Sequence, residues 1–200
     1  MKSSDAGAPA LDFPSLWNKA LTYDGFVHAS DLKHRGLWEG LHRLARIPDW
    51  ALAAVPPDAG LRLLVLVEDW CGDASNTVPV LARLAEAAPG VELRVLRRDE
   101  YPAVMDRYLT NGSRSIPVVI ALDEHFRERG HWGPRPTMLQ AWVMAQRAAG
   151  APKESIYPEV RRWYARDHGE TTLDQVLAAA GFPAHPAGHE APPLPPIGPA

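Results

Sequence analysis

The stretch Leu61-Arg62-Leu63-Leu64-Val65-Leu66-Val67 is apolar at every position but one, and it follows the turn-forming Pro56-Pro57-Asp58-Ala59-Gly60. So short a continuous apolar run needs cover on both faces, which predicts a central strand rather than a surface one. Val78, Leu81, Ala85 and Ala88 then recur at helical spacing and end at Pro89-Gly90, a stop signal. Pro79 lies inside that helix and is expected to bend it, because proline lacks the backbone N–H. Val91, Leu93 and Val95 alternate with Glu92 and Arg94, a period-2 strand. Tyr101 to Leu109 reads as a short helix with Met105 and Leu109 on one face.

Ile116-Pro117-Val118-Val119-Ile120-Ala121-Leu122 reads as a second buried strand, opened by a proline. Asp123-Glu124-His125 turns the chain into a weaker strand from Phe126 to Trp132. A helix follows Pro134-Arg135-Pro136, with Thr137 as cap, Gln140 completing a capping box, and Leu139, Trp142 and Val143 inward. This alternation predicts an α/β fold, a mixed central sheet flanked by helices. Both flanks look helical. Leu37, Leu41, Leu44 and Ala45 share a face of a segment starting near Ser30-Asp31. Val160, Trp163 and Tyr164 suggest another helix, and Thr172 with Gln175 caps a last one ending at Gly181. Trp142 and Trp163, at helical spacing, read as core residues rather than ligand platforms.

The expected organisation is a flexible leader over residues 1–12, a helical extension over 13–55 and an α/β domain over 56–150. C-terminal helices over 151–182 and a proline-rich tail without fixed structure over 183–200 complete it. Pro192-Pro193-Leu194-Pro195-Pro196 within that tail has the composition of a ligand for a proline-recognition groove. Across 200 residues the formal net charge is −3, so no basic field invites nucleic acid or an anionic membrane. No apolar run approaches the roughly 20 residues that span a bilayer. A soluble, cytoplasmic protein is expected. The single cysteine excludes an intrachain disulfide and a zinc site built on cysteine pairs, and the eight histidines show no metal-ligand spacing.

That cysteine falls in Glu68-Asp69-Trp70-Cys71-Gly72-Asp73-Ala74, where the first strand hands over to the bent helix. A sulfur there lies near free helix N–H groups, whose partial positive charge favours thiolate. Glu68, Asp69 and Asp73 work against it, since each neighbouring carboxylate disfavours a second negative charge. Asp73 also has a plain reading as a first-turn acid that complements the helix dipole. Arg114 is a candidate to offset these charges.

The arrangement strand, Trp-Cys-Gly, helix with internal proline resembles the thioredoxin family. Trp70-Cys71-Gly72 matches the start of the redox motif, Pro79 the helix kink, and Ile116-Pro117 the cis-proline that opens the next central strand. The resemblance covers roughly Leu61 to Gln146. The runs Arg98-Asp99-Glu100, Asp106 to Gly112 and Trp132-Gly133-Pro134-Arg135-Pro136 are similar to a bacterial thioredoxin-like branch, and that similarity extends into the helical N-terminal segment.

The resemblance implies a thioredoxin fold, with Cys71 as nucleophile and Ile116-Pro117 positioning an extended substrate. Ala74 stands where the family motif has its second cysteine. Alanine cannot resolve a mixed disulfide, so an unaided dithiol cycle is impossible. What remains is a monothiol role, in which glutathione or another low-molecular-weight thiol is co-substrate and no metal or organic cofactor is needed. The partners expected are protein or small-molecule thiols and disulfides. The alternative is a redox-inactive binding module that keeps the fold as a docking surface.

Overall fold

The computed structural model describes residues 10–183, 185 and 191–195. Four helices precede the sheet: α1 (Phe13–Lys19), α2 (Tyr23–His28), α3 (Leu32–Leu44) and α4 (Asp49–Ala54). Strand β1 (Leu61–Val67) leads into helix α5 (Gly72–Ala87), which carries Pro79 within it, and then into strand β2 (Val91–Arg97). A 3-10 turn at Arg98–Glu100 and one turn of helix α6 (Pro102–Met105) precede strands β3 (Val118–Leu122) and β4 (Glu128–Trp132). Helices α7 (Thr137–Ala148), α8 (Lys153–Asp167) and α9 (Glu170–Ala179) close the sequence of elements.

The strands form one mixed sheet in the order β2-β1-β3-β4. β1 runs parallel to β2, with Val65 opposite Val95, and antiparallel to β3, with Leu64 opposite Ile120. β4 pairs antiparallel with β3. Every residue of β1 except Arg62 is buried, as a strand between two neighbours and two covered faces requires. The main core joins the sheet to α5, α9 and the N-terminal helices, while a second apolar cluster lies between α7 and α8. The outer edge of β2 is part covered by the α1–α2 connection, where Leu21 and Val95 exchange backbone hydrogen bonds of 2.9 and 2.8 Å.

Several local expectations give way to tertiary context. Helix α3 begins where Asp31 caps it, but Leu37 and Leu44 are exposed and the wholly buried Trp38 anchors the helix instead. Its indole N–H donates to the Asp69 carbonyl at 2.9 Å, so one large ring outweighs a stripe of leucines. The helix expected over Tyr101 to Leu109 shrinks to α6; Met105 is buried and Leu109 lies exposed. The capping box at Thr137 does not form. Pro136 precedes the first turn, and the Gln140 side chain accepts a hydrogen bond from Arg135 instead. Thr172 and Gln175 lie inside α9 rather than at its start. Gly169 caps that helix with φ of +85°, and Val80 packs where a β-carbon would stand. The Gln175 side-chain oxygen Oε1 instead accepts from the Trp132 indole and the Thr137 amide, tying β4 and the start of α7 to α9.

The ends of the chain divide. The expected leader lies outside the described residues over 1–9, and Asp12 caps α1. The tail expected to lack structure is corrected at residues 191–195: Ala191 and Leu194 pack on the α7–α8 cluster, and two carbonyls accept indole hydrogen bonds. Residues 184, 186–190 and 196–200 lie outside the described residues. Among the described residues no helix is long and apolar enough to cross a membrane.

Candidate active site

The turn after β1 delivers Cys71 to the N-cap of α5. Its amide donates to the Glu68 carbonyl at 3.1 Å, and its own carbonyl accepts from the Ser75 amide at 3.0 Å, the first turn of the helix. The Cys71 thiol donates to the Ile116 carbonyl at 3.4 Å, and the Ile116–Pro117 peptide is cis. Trp70, Cys71, Asp73, Ala74, Ile116 and Pro117 are thus brought to one place. Trp70 is half exposed at the rim, with the Arg98 guanidinium 5.1 Å from its ring centre. Ala74 is fully buried beneath the motif. Gly72 opens the helix, and a β-carbon there would meet open space, so close approach does not demand glycine.

The carboxylates near the thiol divide by direction. Glu68 is buried, but it turns to the far side of the loop and accepts the Asp99 amide at 2.9 Å. Asp69 accepts the Asp31 amide at 2.8 Å, fastening the start of α3. These two acids have structural duties, and of the three flanking carboxylates Asp73 is the one that acts on the thiol. Burial is the largest influence and pushes the Cys71 thiol up, Asp73 adds to this, and the Ala74 and Asp73 amides and Arg135 oppose it. Cys71 is 8% exposed and protonated at rest.

Asp73 does more than complement the helix dipole. Arg135 grips it with two hydrogen bonds, Nε at 2.7 Å and a terminal nitrogen at 2.5 Å, and both side chains are about nine-tenths buried. The Tyr164 hydroxyl donates to the same carboxylate at 3.3 Å. Burial raises the Asp73 carboxyl and Arg135 draws it back down, while Tyr164 is held well above the ordinary phenol range. The start of α5, the loop before α7 and the body of α8 therefore meet at one ionic junction beside the thiol. Arg135 follows a second cis peptide, Gly133–Pro134. Gly133 has φ of +133°, and a β-carbon there would collide with the Pro117 carbonyl oxygen, so glycine is what lets the two proline loops touch.

Sequence reasoning assigned no role to Arg135 or Tyr164. The one available signal was an isolated arginine between two prolines, a side chain on a backbone with little freedom. Arg114, considered as a counter-charge for the thiol, forms an exposed double hydrogen bond with Asp106 at 2.7 and 2.8 Å. It does so on the wall of a cleft of about 310 Å³ that opens beside Cys71. Arg98, Arg114, Arg135 and Arg147 line this cleft, and Asp73 is the one acid among its lining residues. Among the described residues no group of three or more His, Cys, Asp or Glu side chains could hold a metal ion.

A four-stranded mixed sheet flanked by helices, with a cysteine at the strand-to-helix turn facing a proline loop, defines a thioredoxin-like fold. Residues 23–150 match the family model described as Thioredoxin, and the chain belongs to that family. The match begins at α2, so the helices ahead of the sheet fall largely within the family region. Among solved structures, the chain is similar to a protein of unknown function from Pseudomonas aeruginosa. The two are 21% identical with a TM-score of 0.68, over 86% of this chain and 98% of that one. It is also similar to an HIV epitope-scaffold, 20% identical with a TM-score of 0.66 over the same shares. No curated protein matches.

Proposed function

We propose that this chain is a single-thiol member of a bacterial thioredoxin-like branch, in which Cys71 exchanges with the disulfide of a small anionic thiol. The observation that carries the reading is the cleft beside the thiol: Arg98, Arg114 and Arg135 on its walls are paired with Asp99, Asp106 and Asp73, while Arg147 rests on the neutral Tyr157 hydroxyl and keeps its positive charge for a ligand. Such a lining favours carboxylate-bearing thiols, of which glutathione is one. Cys71 loses its proton and its sulfur attacks the small-thiol sulfur of a mixed disulfide between that thiol and a second, protein or small-molecule, thiol, which is the group that departs. The S–S bond breaks, a mixed disulfide forms on Cys71, and the departing thiolate takes up a proton. With Ala74 in place of a resolving cysteine, a second molecule of small thiol attacks the mixed disulfide and restores Cys71, leaving an oxidised small-thiol pair. The amides at the start of α5 stabilise the departing Cys71 thiolate. The Ile116 backbone and Pro117 border the path of an extended substrate. A lone thiol of this kind suits a reducing compartment such as the cytoplasm.

A second reading has its own observation. The thiol is nearly covered, protonated and hydrogen-bonded to a carbonyl, as in a module that keeps the fold for docking alone. Alkylation separates the two. Iodoacetate is anionic and iodoacetamide neutral, so the arginine cleft predicts a higher rate ratio for the folded chain than for the same chain in urea. Salt should lower that ratio. Equal ratios in both states, with folded-chain labelling no faster than transient unfolding allows, would favour the docking module.

A further inference from the structure

The tail segment Ala191–Pro195 is seated on the α7–α8 cluster in a repeating way. The indole N–H of Trp163 donates to the Pro192 carbonyl at 2.8 Å, and that of Trp142 to the Pro195 carbonyl at 2.9 Å. Ala191 and Leu194, also three residues apart, pack on the apolar cluster, and Pro193 faces solvent. Three residues per turn is the period of the polyproline II helix, and a triangular cross-section gives one row to the cluster, one to the indoles and one to water. The sequence enforces that conformation. Proline fixes its own φ, and Ala191, Pro192, Leu194 and Pro195 each precede a proline, which keeps them extended. Both donors are rooted in the fold, Trp163 wholly buried and Trp142 nearly so. With the tail in place these two carbonyls are the partners that satisfy the covered indole donors.

We infer that the α7–α8 groove is a polyproline II-binding site, occupied by this chain's own residues 191–195, that takes a proline-rich segment of the same pattern in trans when the tail is lifted. The occupant is a peptide with carbonyls three residues apart and a leucine on the adjoining row. The tethered tail has a local concentration of about millimolar, so a free peptide competes poorly until the tail is released. The inference is independent of any reaction at Cys71.

Full-length protein with ¹⁵N-labelled tryptophan gives a direct readout, because the Trp142 and Trp163 indole N–H signals report the two hydrogen bonds. In the Leu194→Asp variant both signals should move and exchange faster with water. A synthetic peptide of residues 189–197 should then return them saturably toward their wild-type positions. Wild-type protein should respond at least tenfold more weakly to the same peptide. A peptide with Pro192 and Pro195 replaced by glycine should fail to bind, and adding Trp163→Phe to the Leu194→Asp chain should weaken binding of the intact peptide at least tenfold. The full-length Pro192→Gly/Pro195→Gly variant releases the tail without touching Leu194 and should accept the peptide too. Indole signals indifferent to both tail variants would overturn the inference. So would a released groove that ignores the peptide at millimolar concentration, or one that binds the glycine-substituted peptide equally well.

Discussion

Replacing Asp73 by asparagine and Arg135 by methionine, singly and together, tests the ionic junction beside the thiol. Both side chains are about nine-tenths buried and joined by two hydrogen bonds, so removing either charge strands the other away from water. Breaking such a pair costs about 3–5 kcal/mol, and Asp73→Asn also weakens the acceptor for the Tyr164 hydroxyl. For a chain of this size that is roughly 6–20 °C in melting temperature, readable by urea or thermal unfolding. The double variant should lose less than the sum of the two singles, because it leaves no buried charge. The thiol distinguishes the partners. Asp73 raises it and Arg135 lowers it, so Asp73→Asn should speed Cys71 alkylation at pH 8 and Arg135→Met should slow it. Two variants equally destabilised but opposite in thiol reactivity would be a signature of charge, not of loosened packing. Shifts in the same direction, or single losses below about 1 kcal/mol, would refute the reasoning.

Three further outcomes follow from particular contacts. Ala74→Cys restores the missing thiol at a fully buried position, and the folded variant should form an intramolecular disulfide with Cys71 and gain reductase activity toward a model disulfide. A folded variant that keeps two free thiols by mass spectrometry would contradict the motif geometry. Gly133→Ala should unfold at markedly lower urea than wild type, since its β-carbon meets the Pro117 carbonyl at an unfavourable φ; an unchanged midpoint would contradict that packing. Asp123 accepts the His125 and Arg127 amides at 2.8 and 2.9 Å, and with the Arg127 guanidinium these hold its carboxyl down at about 2. Because the folded value lies below the unfolded one, this stabilisation is complete above about pH 4 and is lost as pH falls toward 2. Wild type should therefore lose its stability advantage over Asp123→Asn across that window, by urea midpoints.

Much of the frame was legible because it is written in local periods. The continuous apolar run of β1, the alternation in β2, the helical spacing of α5 and the strand-opening Pro117 each imprint a pattern on neighbouring residues. From the order of these elements came the sheet and the place of Cys71. What stayed hidden depends on residues far apart in the chain. Arg135 meets Asp73 across 62 positions and Tyr164 meets it across 91, and no periodicity encodes such a pair. The same holds for Glu68 and Asp69, whose charges appear crowded on the thiol until their hydrogen bonds point them elsewhere. The buried face of α3 is set by Trp38, whose hydrogen-bond acceptor lies in another loop, and the spacing of the leucines carries no trace of it. At Gln140 the competitor is close in sequence: Arg135, five residues away, takes the side chain that the capping pattern assigns to Thr137.

Intact-mass spectrometry of the native full-length chain after incubation with oxidised glutathione tests the central claim most directly. The account predicts one glutathionyl group, located on the Cys71 peptide, formed faster at pH 9 than at pH 7 and removed by reduced glutathione. A native chain that stays unmodified at both pH values, while the urea-unfolded chain takes up the adduct, would contradict it.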